Sequence, residues 1–141
     1  MPKAFQFGFA SVLFLLLSVA TAFPQGTAYL LFQKNGAAAV DYFGFSVALV
    51  GDVNADGYAD FLVGAPLADP GGRLAAGSAY LYSGANGSLL RQKDGAVAQG
   101  QLGRSVSGTG DVDGDGYPDF IIGAPTVNPG GLSDAGSAYV Y

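Results

Sequence analysis

The sequence predicts an all-β chain made of two copies of one four-stranded unit. Three observations carry that expectation. First, the chain repeats itself at an offset of 59 residues: aligning 28–82 on 87–141 gives about 30 identities in 55 positions. Second, 23 glycines, eight tyrosines and ten phenylalanines, with no Glu at all, argue against helices and for short strands joined by tight turns. Third, two nine-residue stretches, Asp52–Asp60 and Asp111–Asp119, fall at the same place in each copy and carry seven of the eleven acidic residues. An internal repeat of this length means a propeller or a stacked array, in which one unit cannot bury its own apolar face.

The elements follow in chain order. Lys3, the apolar run around Val12–Leu17 and the small residues Ala20 and Ala22 read as a signal peptide over 1–22, cleaved after Ala22. The run is short for a membrane span, and no basic stop-transfer cluster follows it. Unit 1 is then 23–86 and unit 2 is 87–141. Ala28–Phe32 aligns on the last strand of a unit. Phe43–Leu49 is the first strand of unit 1, and the Asp stretch leads into Asp60–Gly64. Phe61-Leu-Val and Phe120-Ile-Ile are continuous apolar runs, as in strands covered on both faces. A Pro/Gly-rich connection precedes Gly77–Tyr82, where Tyr80 and Tyr82 alternate with Ala79 and Leu81. Ser83–Gly87 is a turn into Ser88–Gln92. Asn86-Gly87-Ser88 is also a glycosylation sequon, but Asn-Gly is a strong hairpin signal and the turn is the preferred reading.

The Asp stretches have the chemistry of a cation-binding loop. Asp52, Asn54 and Asp56 place oxygens at positions 1, 3 and 5, Gly57 allows a sharp bend, Tyr58 offers its backbone carbonyl, and Asp60 closes the site at the next strand. In the second stretch the same roles fall to Asp111, Asp113, Asp115, the Tyr117 carbonyl and Asp119. Such a loop suits Ca2+ better than Mg2+, which favours compact octahedral sites with several waters. An EF-hand is excluded: position 12 is Val63 or Ile122 where a bidentate Glu is needed, and no helix flanks either loop. The bland alternative, a solvated Asp/Asn/Gly turn, does not account for two copies in register.

Composition narrows the function. Without the first 22 residues the chain has five basic and eleven acidic side chains, a net charge of 5 − 11 = −6. Nucleic acid and anionic membrane are therefore not expected partners. There is no Cys, so export does not serve a disulfide scaffold. There is no His, which removes imidazole bases and most zinc sites. With the loops set aside, only Asp41, Asp69, Asp94 and Asp134 remain as carboxylates. Little is left from which to build an active site, and no enzyme is expected within these residues.

Phe43-Gly44 and Gly64-Ala65-Pro66 bracket the first loop, and Leu102-Gly103 and Gly123-Ala124-Pro125 bracket the second. With these residues the chain resembles the FG-GAP repeats of integrin α-chain propellers and related secreted bacterial proteins. Leu102 departs from the Phe of the motif, and Asn54 replaces an Asp. The resemblance implies β-propeller blades of four antiparallel strands, with calcium held between the first two strands of each. It also implies a secreted or cell-surface protein that recognises an extracellular protein or glycan. The rival reading is an accessory propeller of a secreted hydrolase. Propellers use about four to eight blades, and two units cannot close a ring. The expectation is therefore part of a larger propeller, completed by further repeats of a longer protein or by assembly of copies.

Overall fold

The computed structural model describes residues 29–141; the expected signal peptide lies outside the described residues. The chain divides into two units, Met1–Leu31 and Phe32–Tyr141. Of the first, only residues 29–31 are described, and they carry no regular secondary structure. All seven strands lie in the second.

Two antiparallel sheets form, as the fold class requires. The first has the order β1 (Ser46–Gly51), β2 (Asp60–Ala65), β3 (Ser78–Tyr82), β4 (Leu89–Asp94); the second has β5 (Ser105–Gly110), β6 (Asp119–Ala124), β7 (Ser137–Val140). Each is a meander in which sequence neighbours pair. Among the described residues only short 3-10 turns, Pro70–Gly72 and Pro129–Gly131, interrupt the strands, and no helix is long and apolar enough to cross a membrane.

The repeat is visible in the register itself. β1 faces β2 with Ala48 opposite Leu62, and β5 faces β6 with Ser107 opposite Ile121, each pair 59 residues from its counterpart. Both hairpins carry a register shift just before the Asp loop, between Leu49 and Gly51 and between Gly108 and Gly110. Such a bulge bends the strand and re-aims the chain, here into the loop. Asp69 Oδ1 accepts the Ala75 N–H at 2.6 Å, and Asn128 Oδ1 accepts the Asp134 N–H at 2.6 Å, so the same Asx bond ties both Pro-Gly-Gly connections.

The core lies between the sheets. Leu62, Ala79 and Leu81 of the first sheet and Leu102, Phe120, Ile122 and Ala124 around the second form one buried cluster with Val50. β1 lies beside β5. Gly64 permits this approach: a Cβ there would fall on the Gly103 carbonyl oxygen and on Ser46 Oγ. The Ser46 hydroxyl uses the same gap, donating to the Gly103 carbonyl at 2.7 Å. The Phe-Gly and Gly-Ala-Pro motifs are joined directly, since Gly44 N–H donates to Gly64 O at 3.0 Å and Gly103 N–H to Gly123 O at 3.1 Å.

β4, the strand expected around Ser88–Gln92, completes the first sheet and runs to Asp94. One sequence expectation differs from what forms. Residues 29–32, expected to be a strand, carry none. A strand exists only by pairing, and no backbone partner stands beside this segment among the described residues.

Candidate metal centre

Each Asp loop is the connection inside a β hairpin, β1–β2 or β5–β6. In the second loop, one carboxylate oxygen each from Asp111, Asp113 and Asp115 lie within 4.8 Å of one another, all on exposed residues. The backbone builds this cluster. Asp111 Oδ1 accepts Gly114 N–H at 2.7 Å and Asp115 N–H at 3.1 Å, while its Oδ2 accepts Gly116 N–H at 2.9 Å. Asp113 Oδ1 accepts Asp115 N–H at 3.1 Å, and Asp115 Oδ1 accepts Tyr117 N–H at 2.8 Å. These donors are neutral amides of the loop itself. They orient the three carboxylates without neutralising them, and each carboxylate keeps acceptor capacity for a further partner. Gly116, at φ +93°, makes the bend that a side chain would oppose.

The first loop has the same skeleton. Asp52 Oδ1 accepts Asp56 N–H at 2.9 Å and its Oδ2 accepts Gly57 N–H at 2.8 Å. Asn54 Oδ1 accepts Asp56 N–H at 3.1 Å, and Asp56 Oδ1 accepts Tyr58 N–H at 3.0 Å. The difference lies on the other oxygen of Asp56. Asn54 Nδ2 donates to it at 2.8 Å and Ser83 Oγ at 3.0 Å. The Asn54 amide holds the Asp56 carboxyl below its ordinary pKa, opposed by partial desolvation and assisted by Ser83 and the Tyr58 N–H. Thus Asn54 supplies internally part of the compensation that Asp113, a pure acceptor, cannot give.

Asp60 and Asp119 stand at the strand ends and fasten the loops. Asp60 is fully buried; its Oδ2 accepts Val53 N–H at 2.9 Å and its Oδ1 accepts Gly84 N–H at 3.0 Å. Asp119 Oδ2 accepts Val112 N–H at 2.7 Å. The side chains of Tyr58 and Tyr117 are exposed, so any part they play in the loop is through the backbone.

Ser83 and Gly84 were not singled out from the sequence. They belong to the turn after β3, where Ser83 N–H donates to Ser88 O and Gly87 N–H to Ser83 O. Asn86 Oδ1 accepts Ser88 N–H at 2.8 Å, so Asn86-Gly87 does form a turn. Through Asp56 and Asp60 this turn is latched to the first loop. The offset of 59 carries Ser83 past residue 141, so the repeat offered no second copy to draw attention to it.

The donor set fits a hard cation: carboxylate and amide oxygens, no sulfur or imidazole, and like charges converging on one exposed point. The model for the FG-GAP repeat matches residues 43–82 and 102–141, which span both hairpins together with β3 and β7. The chain belongs to the FG-GAP repeat family. It is 37% identical over 112 residues to integrin alpha-3 of Cricetulus griseus, covering 74% of this chain and 10% of that protein. To integrin alpha-PS2 of Drosophila melanogaster it is 35% identical over 123 residues, 79% of this chain and 8% of that one. To integrin alpha-E of Mus musculus it is 41% identical over 91 residues, 58% and 8%. The chain thus spans about a tenth of the length of these relatives. The FG-GAP and integrin α resemblance read from the motifs holds. Its bacterial side is not borne out, since these relatives are animal proteins.

Proposed function

We propose that this chain is a secreted, calcium-binding FG-GAP propeller module that serves recognition and adhesion rather than catalysis. The observation that carries the reading is the convergence of Asp111, Asp113 and Asp115, oriented by loop amides and unneutralised. In this reading Asp111, Asp113, Asp115, the Tyr117 carbonyl and Asp119 hold one Ca2+, and Asp52, Asn54, Asp56, the Tyr58 carbonyl and Asp60 hold another. The ion supplies positive charge between carboxylates and pins the first strand of each hairpin to the second. It does no chemistry on a substrate. Export rests on the 1–22 signal sequence, and the two repeat units on 23–86 and 87–141. The adhesive role is brought by the integrin relatives and by a residue set without His, Cys or Glu.

Calorimetry of the chain with calcium tests the reading, repeated on an Asp56→Ala/Asp115→Ala variant whose fold is checked by circular dichroism. Two binding events in the native chain and none in the folded variant are expected. Unchanged heats in the variant would remove the loops as the site.

A further inference from the structure

The two copies of the repeat make the same side-chain contacts at one strand end, with a single exchange. In the first copy Phe32 stacks on Phe61, ring centroids 6.4 Å apart, and Lys34 Nζ lies 5.4 Å from the Tyr82 ring centroid. At the repeat offset of 59 residues, Lys93 Nζ lies 3.9 Å from the Tyr141 ring centroid, the same pair again. The offset also carries Phe61 to Phe120, but it carries Phe32 to Arg91. A cation therefore stands where the other copy closes its contact with an aromatic ring.

The exchange comes with an open cavity of about 480 Å³ between β4 and the second hairpin. Arg91 and Lys93 line one wall. They stand opposite Leu81 and Ala79 in the β3–β4 ladder, so both point from the same face as these core residues, toward the second sheet. The other wall holds Asp115, Tyr117, Asp119 and Tyr141. Tyr141 is fixed there: its N–H donates to Phe120 O and its O accepts Phe120 N–H, both at 3.0 Å, and the two rings stack at 5.6 Å. The Tyr117 and Tyr141 rings remain exposed. Two of the five basic residues outside 1–22 thus line one cavity. Asp115 Oδ1 and Asp119 Oδ2 are taken up by loop amides, and among the described residues no cation bridges to either carboxylate. Opposite charges face each other across the cavity without meeting.

We propose that this cavity binds an acidic sugar, a pyranose carrying a carboxylate or a sulfate. Arg91 offers a planar fork of N–H donors that matches either anion, and Lys93 adds a second positive charge. The exposed rings of Tyr117 and Tyr141 suit the apolar face of a sugar, and Asp115 and Asp119 keep acceptor capacity for its hydroxyls. A bare anion would meet those carboxylates with nothing to give them, whereas a sugar satisfies both walls. The volume falls in the range of small-ligand sites, roughly 300–1,000 Å³. A purely structural side chain at 91 would be served by Phe, as at Phe32; the charge is explained by a ligand. A long polyanion does not fit, because two cations facing two carboxylates recognise one charged group within a chain of net negative charge. The inference deepens the recognition role proposed above, and rests on it, by naming a ligand class. It does not rest on the metal, since Arg91 and Lys93 are in place without one.

NMR titration of the chain tests this, with glucuronic acid and a sulfated galactose as probes and glucose, galactose and inorganic sulfate as controls, each in calcium and in chelator. At least one acidic sugar should bind and shift resonances of Arg91, Tyr117 and Tyr141, and which one binds names the anion. The neutral sugars and inorganic sulfate should bind about tenfold more weakly, the loss expected for one charge-assisted hydrogen bond. Arg91→Gln should weaken the acidic sugar by a similar factor and leave the urea midpoint unchanged. Arg91→Phe gives the second copy the ring that the first one has, so it should abolish binding without lowering the midpoint. No binding of either acidic sugar in either condition, equal binding of neutral sugar or of sulfate, or native binding by Arg91→Phe would each overturn the proposal. A loss of stability in both variants would assign Arg91 to the fold and overturn it as well. Calcium heats on the same samples report the metal reading separately: a chain that binds calcium but no acidic sugar removes this ligand and leaves the module reading standing.

Discussion

Leu81→Ala and Val140→Ala are the same truncation at matched positions of the two sheets, and they should differ sharply in cost. Leu81 is 1% exposed because the second sheet covers it. Emptying such a site costs the lost transfer energy plus a residual cavity, about 3–4 kcal/mol. Val140 is 51% exposed. Removing its two methyl groups at about 0.8 kcal/mol per buried group, half of it realised, costs about 0.8 kcal/mol. Urea unfolding reads both values, provided the slope with denaturant is unchanged. A gap of about 2–3 kcal/mol is expected. Equal losses would refute the argument that the inter-sheet contact, rather than each sheet alone, holds the fold.

Gly64→Ala should cost more than Gly57→Ala, although both replace a loop-proximal glycine. At Gly64 the new Cβ strikes the Gly103 carbonyl and Ser46 Oγ, an overpacking penalty of about 3 kcal/mol; at Gly57 it meets open space and only the φ of +90° resists, about 1–2 kcal/mol. The reverse order in urea midpoints would contradict the close approach of the sheets. Burial raises the phenols of Tyr80, Tyr82 and Tyr141 above their ordinary value. Their contribution to stability is therefore whole below pH about 10 and is lost as pH rises through the folded values, so the melting point should fall there as tyrosinate absorbance grows. Asn54→Asp should tighten calcium at the first loop, because it adds a ligand charge and removes the amide that now engages Asp56; weaker binding in calorimetry would assign the order of the two loops to geometry instead.

Most of the fold was legible because it is written twice. The identity of Gly64-Ala-Pro and Gly123-Ala-Pro, of Gly77-Ser-Ala-Tyr and Gly136-Ser-Ala-Tyr, placed strands and turns within a few residues of where they form. The Asp loops were legible from oxygen spacing, and the structure adds how loop amides aim them. Three features were not legible. Ser83 latches to Asp56 from a turn with no second copy in the chain. Residues 29–32 have the sequence of a strand, but strand formation depends on a partner that sequence similarity does not supply. The role of Gly64 comes from a carbonyl 39 residues away in sequence, that of Gly103 in the turn leading into the second sheet, which no local pattern announces.

The central claim is that both Asp loops bind calcium and that the ion is structural. Thermal unfolding of the chain in chelator, then with calcium, then with magnesium tests it most directly. An ion that binds only the folded state stabilises it by about 1.4 kcal/mol per site at ten times Kd. Two sites give about 3 kcal/mol, which for a domain of this size is a shift on the order of 10 °C. The account predicts that loss in chelator, its recovery with calcium and a much smaller recovery with magnesium. A melting point indifferent to chelator and to calcium alike would contradict it.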